Sequence, residues 1–335
     1  MITPLETLIR DAIRAQPGGL PFTRFMELAL YHPKYGYYRR ADATRIGPTG
    51  DYVTSVSVTP LFGKILARQI AAIRDDMGAP PDFTVVEYGA HRGQLKADIH
   101  ATLPGLPYRT VEIGDAPPAS ITGCVLANEF LDALPVHRVR VVNGAWRELY
   151  IVEGPGGPSS ARPLHETPGP LSTPRLAAAL ADLPARYMEG YTTEINLQAL
   201  DWLEDASRRL VRGAILLIDY GEERHEYFSP HRHEGTLTCY HRHQRSGNPF
   251  LHLGEQDITA HVEFTSFMEK AKDLGLRVQT FTDQGRYLLE AGADLVREIA
   301  ERDAGQLSRD RAALQQLTHP NFMGRAFKVL VLRKE

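Results

Sequence analysis

The stretch TVVEYGAHRGQL, residues 84–95, changes its pattern midway. A β-branched, apolar run delivers Glu87, and Gly89 and Gly93 then frame a short loop leading into the helix-like QLKADIHATL. In a βαβ unit such a turn lets the backbone approach a ligand, and an acidic residue about 20 positions on grips ribose hydroxyls. Glu112, closing YRTVEI, stands nineteen residues after Gly93, at the end of the next expected strand. The G-x-G-x-x-G of pyrophosphate binders is absent, which counts against NAD or FAD. S-adenosylmethionine has no phosphate to cradle and suits a looser glycine turn preceded by an acidic residue. Taken alone, Gly89 and Gly93 could equally do no more than turn a strand into a helix. His91, between the two glycines, crowds such a loop, although histidine tolerates positive φ better than most side chains.

Outward from this stretch the chain alternates. Strands are expected at 83–88, 108–113, 122–127 and 214–219, with a helix at 93–102, the signature of an α/β fold with a doubly wound parallel sheet. Residues 1–80 read as helices and loops, ending in TPLFGKILARQIAAIRDDM with Thr59 as a candidate cap. HRVRVVNGAWRELYIVEG is a hairpin signal around Asn143-Gly144, and residues 154–175 read as an exposed Pro/Gly/Ser linker. INLQALDWLEDASRRLVRG reads as a helix ending at Gly213. LRVQTFTDQ and RAFKVLVLRK are strand-like and separated by helical segments over roughly 285–317, a pattern that suits a final strand inserted antiparallel. The expected organisation is an N-terminal helical region with a cofactor-covering loop over 1–80, then a main domain over 81–335. That domain carries a hairpin/linker insertion at 136–190 and a helical insertion at 285–320.

Bulk properties narrow the class. With 335 residues, 43% hydrophobic, 24% charged and a net charge of −3, the chain suits a large globular domain and gives no reason to expect bulk nucleic acid as a partner. Two cysteines, Cys124 and Cys239, exclude a disulfide scaffold and fit a reducing compartment. No apolar run is long enough to span a bilayer, and MITPLETLIRDAIRAQ resembles neither a secretory signal nor a transit peptide, so a cytoplasmic protein is expected. The histidines of HRHEGTLTCYHRH lack HExxH-like spacing, and a solvated segment is expected there rather than a metal site.

Six further motifs stand out, NEFLDALPVHR being the most specific piece: GDYVTS (50–55), LFG (61–63), ANEFLDALPVHR (127–138), LLIDYG (216–221), DITAHVEF (257–264) and MGRAFKVLVL (323–332). In this order, and from about residue 20 onward, they resemble the MidA-like family of class I S-adenosylmethionine-dependent methyltransferases. The resemblance implies a Rossmann-like class I sheet with an N-terminal helical region, a lid-like insertion and S-adenosyl-L-methionine as cofactor. In the family's mitochondrial member, which assists respiratory complex I assembly, the acceptor is an arginine of a partner protein. Other relatives act on small molecules, so the acceptor here is expected to be a small molecule or a protein.

The expected cofactor contacts are Asp51, Thr54, Ser55, Glu87, Gly89, His91, Gly93, Glu112 and Asn128. Glu129 and Asp132 fall at and just past the end of a parallel strand, where α/β crevices open, and would orient a guanidinium by paired hydrogen bonds. A carboxylate or phenol acceptor would call for a base instead, with His137 or His261 as candidates. The chain departs from the family pattern at His91, at Ser57, where an acidic residue is usual, and in the short span from Glu112 to Asn128. His91 leaves a second reading open, a catalytically inactive assembly or binding protein on the methyltransferase fold, whereas the other two departures bear on whether the acceptor is an arginine.

Overall fold

The computed structural model describes residues 2–40, 54–155, 163–181, 183, 187–303 and 308–335. They form two compact units: Met1–Tyr52, Ala133–Ala199 and Arg224–His261 make one, and Val53–Asp132, Leu200–Glu223 and Val262–Glu335 the other. The units do not follow the linear division at residue 80. The helix Leu61–Asp76 groups with the sheet because its apolar side chains, among them Phe62, Ile65, Leu66 and Ile70, are fully buried in the same core as Val85, Leu126 and Leu216. At about 1.5–3 kcal/mol per large side chain removed from water, that seam outweighs sequence proximity to the N-terminal helices.

The larger unit holds the parallel sheet. Its strands are β1 (Thr84–Tyr88), β2 (Tyr108–Val111), β3 (Ile121–Asn128), β4 (Leu210–Glu222), β5 (Arg277–Asp283) and β6 (Phe327–Lys334). The order is β5-β6-β4-β3-β1-β2, and the short strand Val262–Glu263 pairs with the end of β4. Strands β2, β1, β3 and β4 are mutually parallel, whereas β6 runs antiparallel between β4 and β5, as expected for the inserted final strand. β1, β3 and β4 are buried along most of their length, which explains their continuous apolar runs.

Helices α1 (Leu61–Asp76), α2 (Gln94–Thr102), α3 (Leu197–Arg209, within this unit from Leu200), α4 (Phe264–Asp273), α5 (Gln284–Ala291), α6 (Ala293–Arg302) and α7 (Arg309–Thr318) complete it. Two boundaries differ from expectation. The helix before β4 stops at Arg209, and Gly213, expected as its cap, lies inside β4 at φ +136, where a Cβ would collide with the Gly123 carbonyl oxygen. The N-cap of α1 is Pro60 rather than Thr59.

The other unit carries helices Pro4–Arg14 and Phe22–Tyr31 and a meander whose strands Leu20–Pro21, His137–Val142, Ala145–Glu153, Leu164–Gly169 and Thr192–Ile195 pair antiparallel. The hairpin turns at Asn143 and Gly144, both at positive φ, as a two-residue turn of the primed type requires. The expected linker is only partly a loop: Leu164–Gly169 adds to the sheet by pairing with Ala145–Glu153. A smaller sheet of Thr238–His241, Gln244–Ser246 and Asp257–Thr259 follows.

Candidate active site

The glycine turn sits at the carboxyl end of β1. Gly89 has φ +70, His91 φ +52 and Gly93 φ +71, so three of five residues are left-handed and histidine fills a position usually left to glycine. A Cβ on Gly89 would fall 2.9 Å from Phe130 Cδ2, whereas one on Gly93 would meet nothing within 4 Å. Phe130, Tyr88 and Trp202 form a three-ring cluster beside Gly89, with ring centroids 5.3–5.9 Å apart.

Glu87 is buried and accepts a hydrogen bond from Tyr108 Oη at 2.8 Å. Burial pushes its carboxyl up to about 7 despite that bond. Glu112 lies just past β2, which ends two residues earlier than expected because the Glu112 N–H donates to Asp115 Oδ2 at 2.9 Å in a tight turn. Asn128 closes β3 at 9% exposure, and its Oδ1 is buried with no hydrogen-bond partner among the described residues. A buried acceptor of this kind normally has a donor, so Asn128 is ready for a ligand hydroxyl or amine. With room above Gly93 and an acidic residue beyond β2, these residues fit a nucleoside ligand without phosphates.

Beyond Asn128 the backbone turns sharply. Glu129 adopts φ +50, a costly conformation for a side chain of this size, while its N–H donates to the Ile218 carbonyl at 2.9 Å. The next three N–H groups, of Phe130, Leu131 and Asp132, all point to Asp219 Oδ2 at 3.1, 2.8 and 3.3 Å. Asp219 is fully buried, and its Oδ1 accepts from the Tyr220 N–H at 2.9 Å. Burial pushes this carboxyl upward and the four N–H donors pull it back. Asp132 is itself buried and lies in a turn rather than at the start of a helix.

The half-buried Glu129 carboxylate is held from its side. Ser55, fully buried, donates its N–H to Glu129 Oε1 at 2.9 Å, and Asn128 Nδ2 reaches the same oxygen at 3.4 Å. Ser55 Oγ donates to Gln284 Oε1 at 3.1 Å, and Gln284 Nε2 donates to the Leu317 carbonyl at 3.1 Å. Burial, with a smaller push from Asp219, raises Glu129 to about 8 against the Ser55 bond. Among the described residues no cation pairs with Glu129 or Asp219. Thr54 caps the short helix Ser55–Val58, and Ser57 returns the bond, so the serine standing in the place of an acidic residue closes a capping box.

The structure thus gathers Ser55, Glu87, Gly89, His91, Gly93, Glu112, Asn128, Glu129 and Asp132 in one unit, and Asp51 lies outside the described residues. His137 and His261 belong to the other unit. There His137 Nδ1 lies 2.8 Å from Glu148 Oε1, whose carboxylate is fully buried, and the His261 N–H donates to Thr236 Oγ1 at 3.1 Å. Tyr108 and Gln284 stand out only in the structure, because burial by distant elements gives them their partners. Asp219 carried a signal, its place in LLIDYG at the end of a buried strand.

Residues 106–282 match the family described as "Putative S-adenosyl-L-methionine-dependent methyltransferase". A crystal structure from Burkholderia thailandensis with S-adenosyl-homocysteine bound is 33% identical at a TM-score of 0.89, covering 98% of this chain and 92% of that one. The chain belongs to this family. It is an S-adenosylmethionine-dependent methyltransferase, and S-adenosylmethionine is its cofactor. Among curated relatives, the mitochondrial protein arginine methyltransferase NDUFAF7 homolog of Drosophila melanogaster is 25% identical over 94% of this chain and 82% of its own length. The mouse protein arginine methyltransferase NDUFAF7 is 24% identical over 99% of this chain and 84% of its own. Both relatives are named as mitochondrial, which overturns the expectation of a cytoplasmic methyltransferase.

Proposed function

We propose that this methyltransferase acts on a cationic nitrogen, the guanidinium of a protein arginine. The observation that carries the reading is the Glu129 carboxylate, half-buried beside the buried Asp219 with no cation among the described residues to neutralise either. A guanidinium supplies the missing charge and a planar set of donors for a carboxylate. The names of the fly and mouse relatives point to the same acceptor.

When bound, S-adenosylmethionine supplies a methyl group already activated on a sulfonium, so the protein's task is alignment and proton handling. In this reading the Gly89–Gly93 turn with His91 lies along the cofactor, Glu112 clasps its sugar hydroxyls, and Asn128 Oδ1 accepts from the ligand. Glu87 shapes the floor from β1, and Thr54 and Ser55 close the site from the opposite wall. Glu129 Oε2, which no described donor reaches, faces the guanidinium with help from Asp132. The proton released on methylation passes to that oxygen, and a carboxyl poised at about 8 can hold it at neutral pH. His137 and His261 then need no part as bases.

The test is incubation with methyl-labelled cofactor and either a cell extract or an arginine-rich peptide, followed by amino-acid analysis. Label in methylarginine, lost by at least about a hundredfold in Glu129→Gln, supports the reading. Label confined to small molecules overturns it.

A further inference from the structure

We infer that Asp219 is a positioning residue for methyl transfer: through Phe130, Leu131 and Asp132 it locks the turn that presents Glu129, and its own charge tunes that carboxylate. The inference rests on the reading of Glu129 as the acceptor-facing group. Three consecutive N–H groups converging on one oxygen form an anion nest, a feature that usually receives a ligand's negative charge. Here the anion is built in. It comes from β4, whose Ile218 stands in register with Asn128 and accepts the Glu129 N–H. The left-handed Glu129 is therefore fixed on both sides, by a carbonyl bond at its own N–H and by the nest immediately after it.

Among the described residues, few groups face this pair. Ser55 and Asn128 reach Glu129 with neutral donors, and Asp219 is the charged neighbour. Lys328, the cross-strand partner of Asp219 on β6, directs its ammonium to Asp283 at 2.8 Å and to Glu222 at 3.2 Å instead. Asp219 thus acts on Glu129 as a buried carboxyl with no paired cation among the described residues, while holding the loop that keeps Glu129 in place. It touches neither cofactor nor acceptor in this arrangement.

The experiment compares wild type with Asp219→Asn, both saturated with S-adenosylhomocysteine, by carbon NMR of labelled glutamate carboxyls, with Glu129→Gln identifying the Glu129 signal. The Glu129 titration midpoint is expected to fall by about one pH unit in Asp219→Asn, while S-adenosylhomocysteine affinity stays within about threefold. An unchanged midpoint overturns the inference. A residue that merely supported the fold would lower stability without moving the midpoint. Should Asp219→Asn fail to fold, wild type alone decides: the amide protons of Phe130, Leu131 and Asp132 should shift together as the Asp219 carboxyl titrates, and amides that ignore it overturn the inference. Neither readout uses an acceptor, so failure of the arginine assay and failure of this inference remain distinct.

Discussion

Ser55 donates its backbone N–H to Glu129 Oε1 at 2.9 Å, joining two residues 74 positions apart. The bond places the start of a capped helical turn against the end of a sheet strand. The bond only partly offsets the burial of Glu129, an acid with no paired cation among the described residues, and most of the expected behaviour follows from that.

The first expectation concerns stability. Glu129 rises from an ordinary 4.5 to about 8 on folding, so between those values the native state binds a proton that the unfolded chain has lost. Stability from this group therefore declines as pH rises through that window and levels off above it. Glu129→Gln removes the penalty. It should match wild type near pH 4.5 and exceed it by roughly 2 kcal/mol at pH 8.5, a value discounted for solvent screening. Urea unfolding at the two values measures the difference, and a constant gap between the proteins would contradict it.

Acceptor use should follow the same group. A cationic acceptor binds the ionised form, so kcat/KM for an arginine peptide should climb with pH to a plateau above about 8. The limb should vanish from the residual activity of Glu129→Gln. Initial-rate profiles with S-adenosylmethionine saturating provide the check.

The loop histidine is a milder case. His91 occupies φ +52, so His91→Gly relieves strain and should leave stability equal or up to about 1 kcal/mol higher. S-adenosylhomocysteine affinity should change by no more than about threefold by calorimetry. A much larger loss would assign the imidazole a direct contact with the cofactor.

His137 should behave as a structural residue. Its loss leaves the fully buried Glu148 carboxylate without its imidazole, and His137→Ala should cost about 3 kcal/mol at pH 7. His137 and Ser172 hold Glu148 below the usual carboxylate range, so this stabilisation is present above that range and fades as pH falls through it. Methyl transfer per folded molecule should stay near wild type. Unfolding curves together with rates at low temperature separate the two effects.

The parts of the architecture that the chain announced are those with local causes. β1, β3 and β4 are apolar runs because both faces of a parallel strand are covered, and Asn143-Gly144 forms its hairpin through conformational preference alone. Leu164–Gly169 was hidden because proline and glycine suit an edge strand as well as a loop. Gly213 misled for a related reason: a glycine after a helix looks like a cap, but this one is required by backbone crowding against Gly123. At the candidate site, the end of β3 carrying Asn128 and Glu129 was legible from NEFLDALP. The restraints on Glu129 were not, because they come from separate segments: Ser55 bonds its carboxylate, Gln284 holds Ser55, and Asp219 holds the turn that follows Glu129.

The position of β6 bears on how the protein is made. Every other strand of the sheet leaves the ribosome earlier, yet β6 takes an inner slot between β4 and β5. Until it arrives, β5 has no partner among the described strands. A nascent chain should consequently keep an exposed seam along β4, a natural place for a chaperone to hold, and become competent for catalysis only when that seam closes.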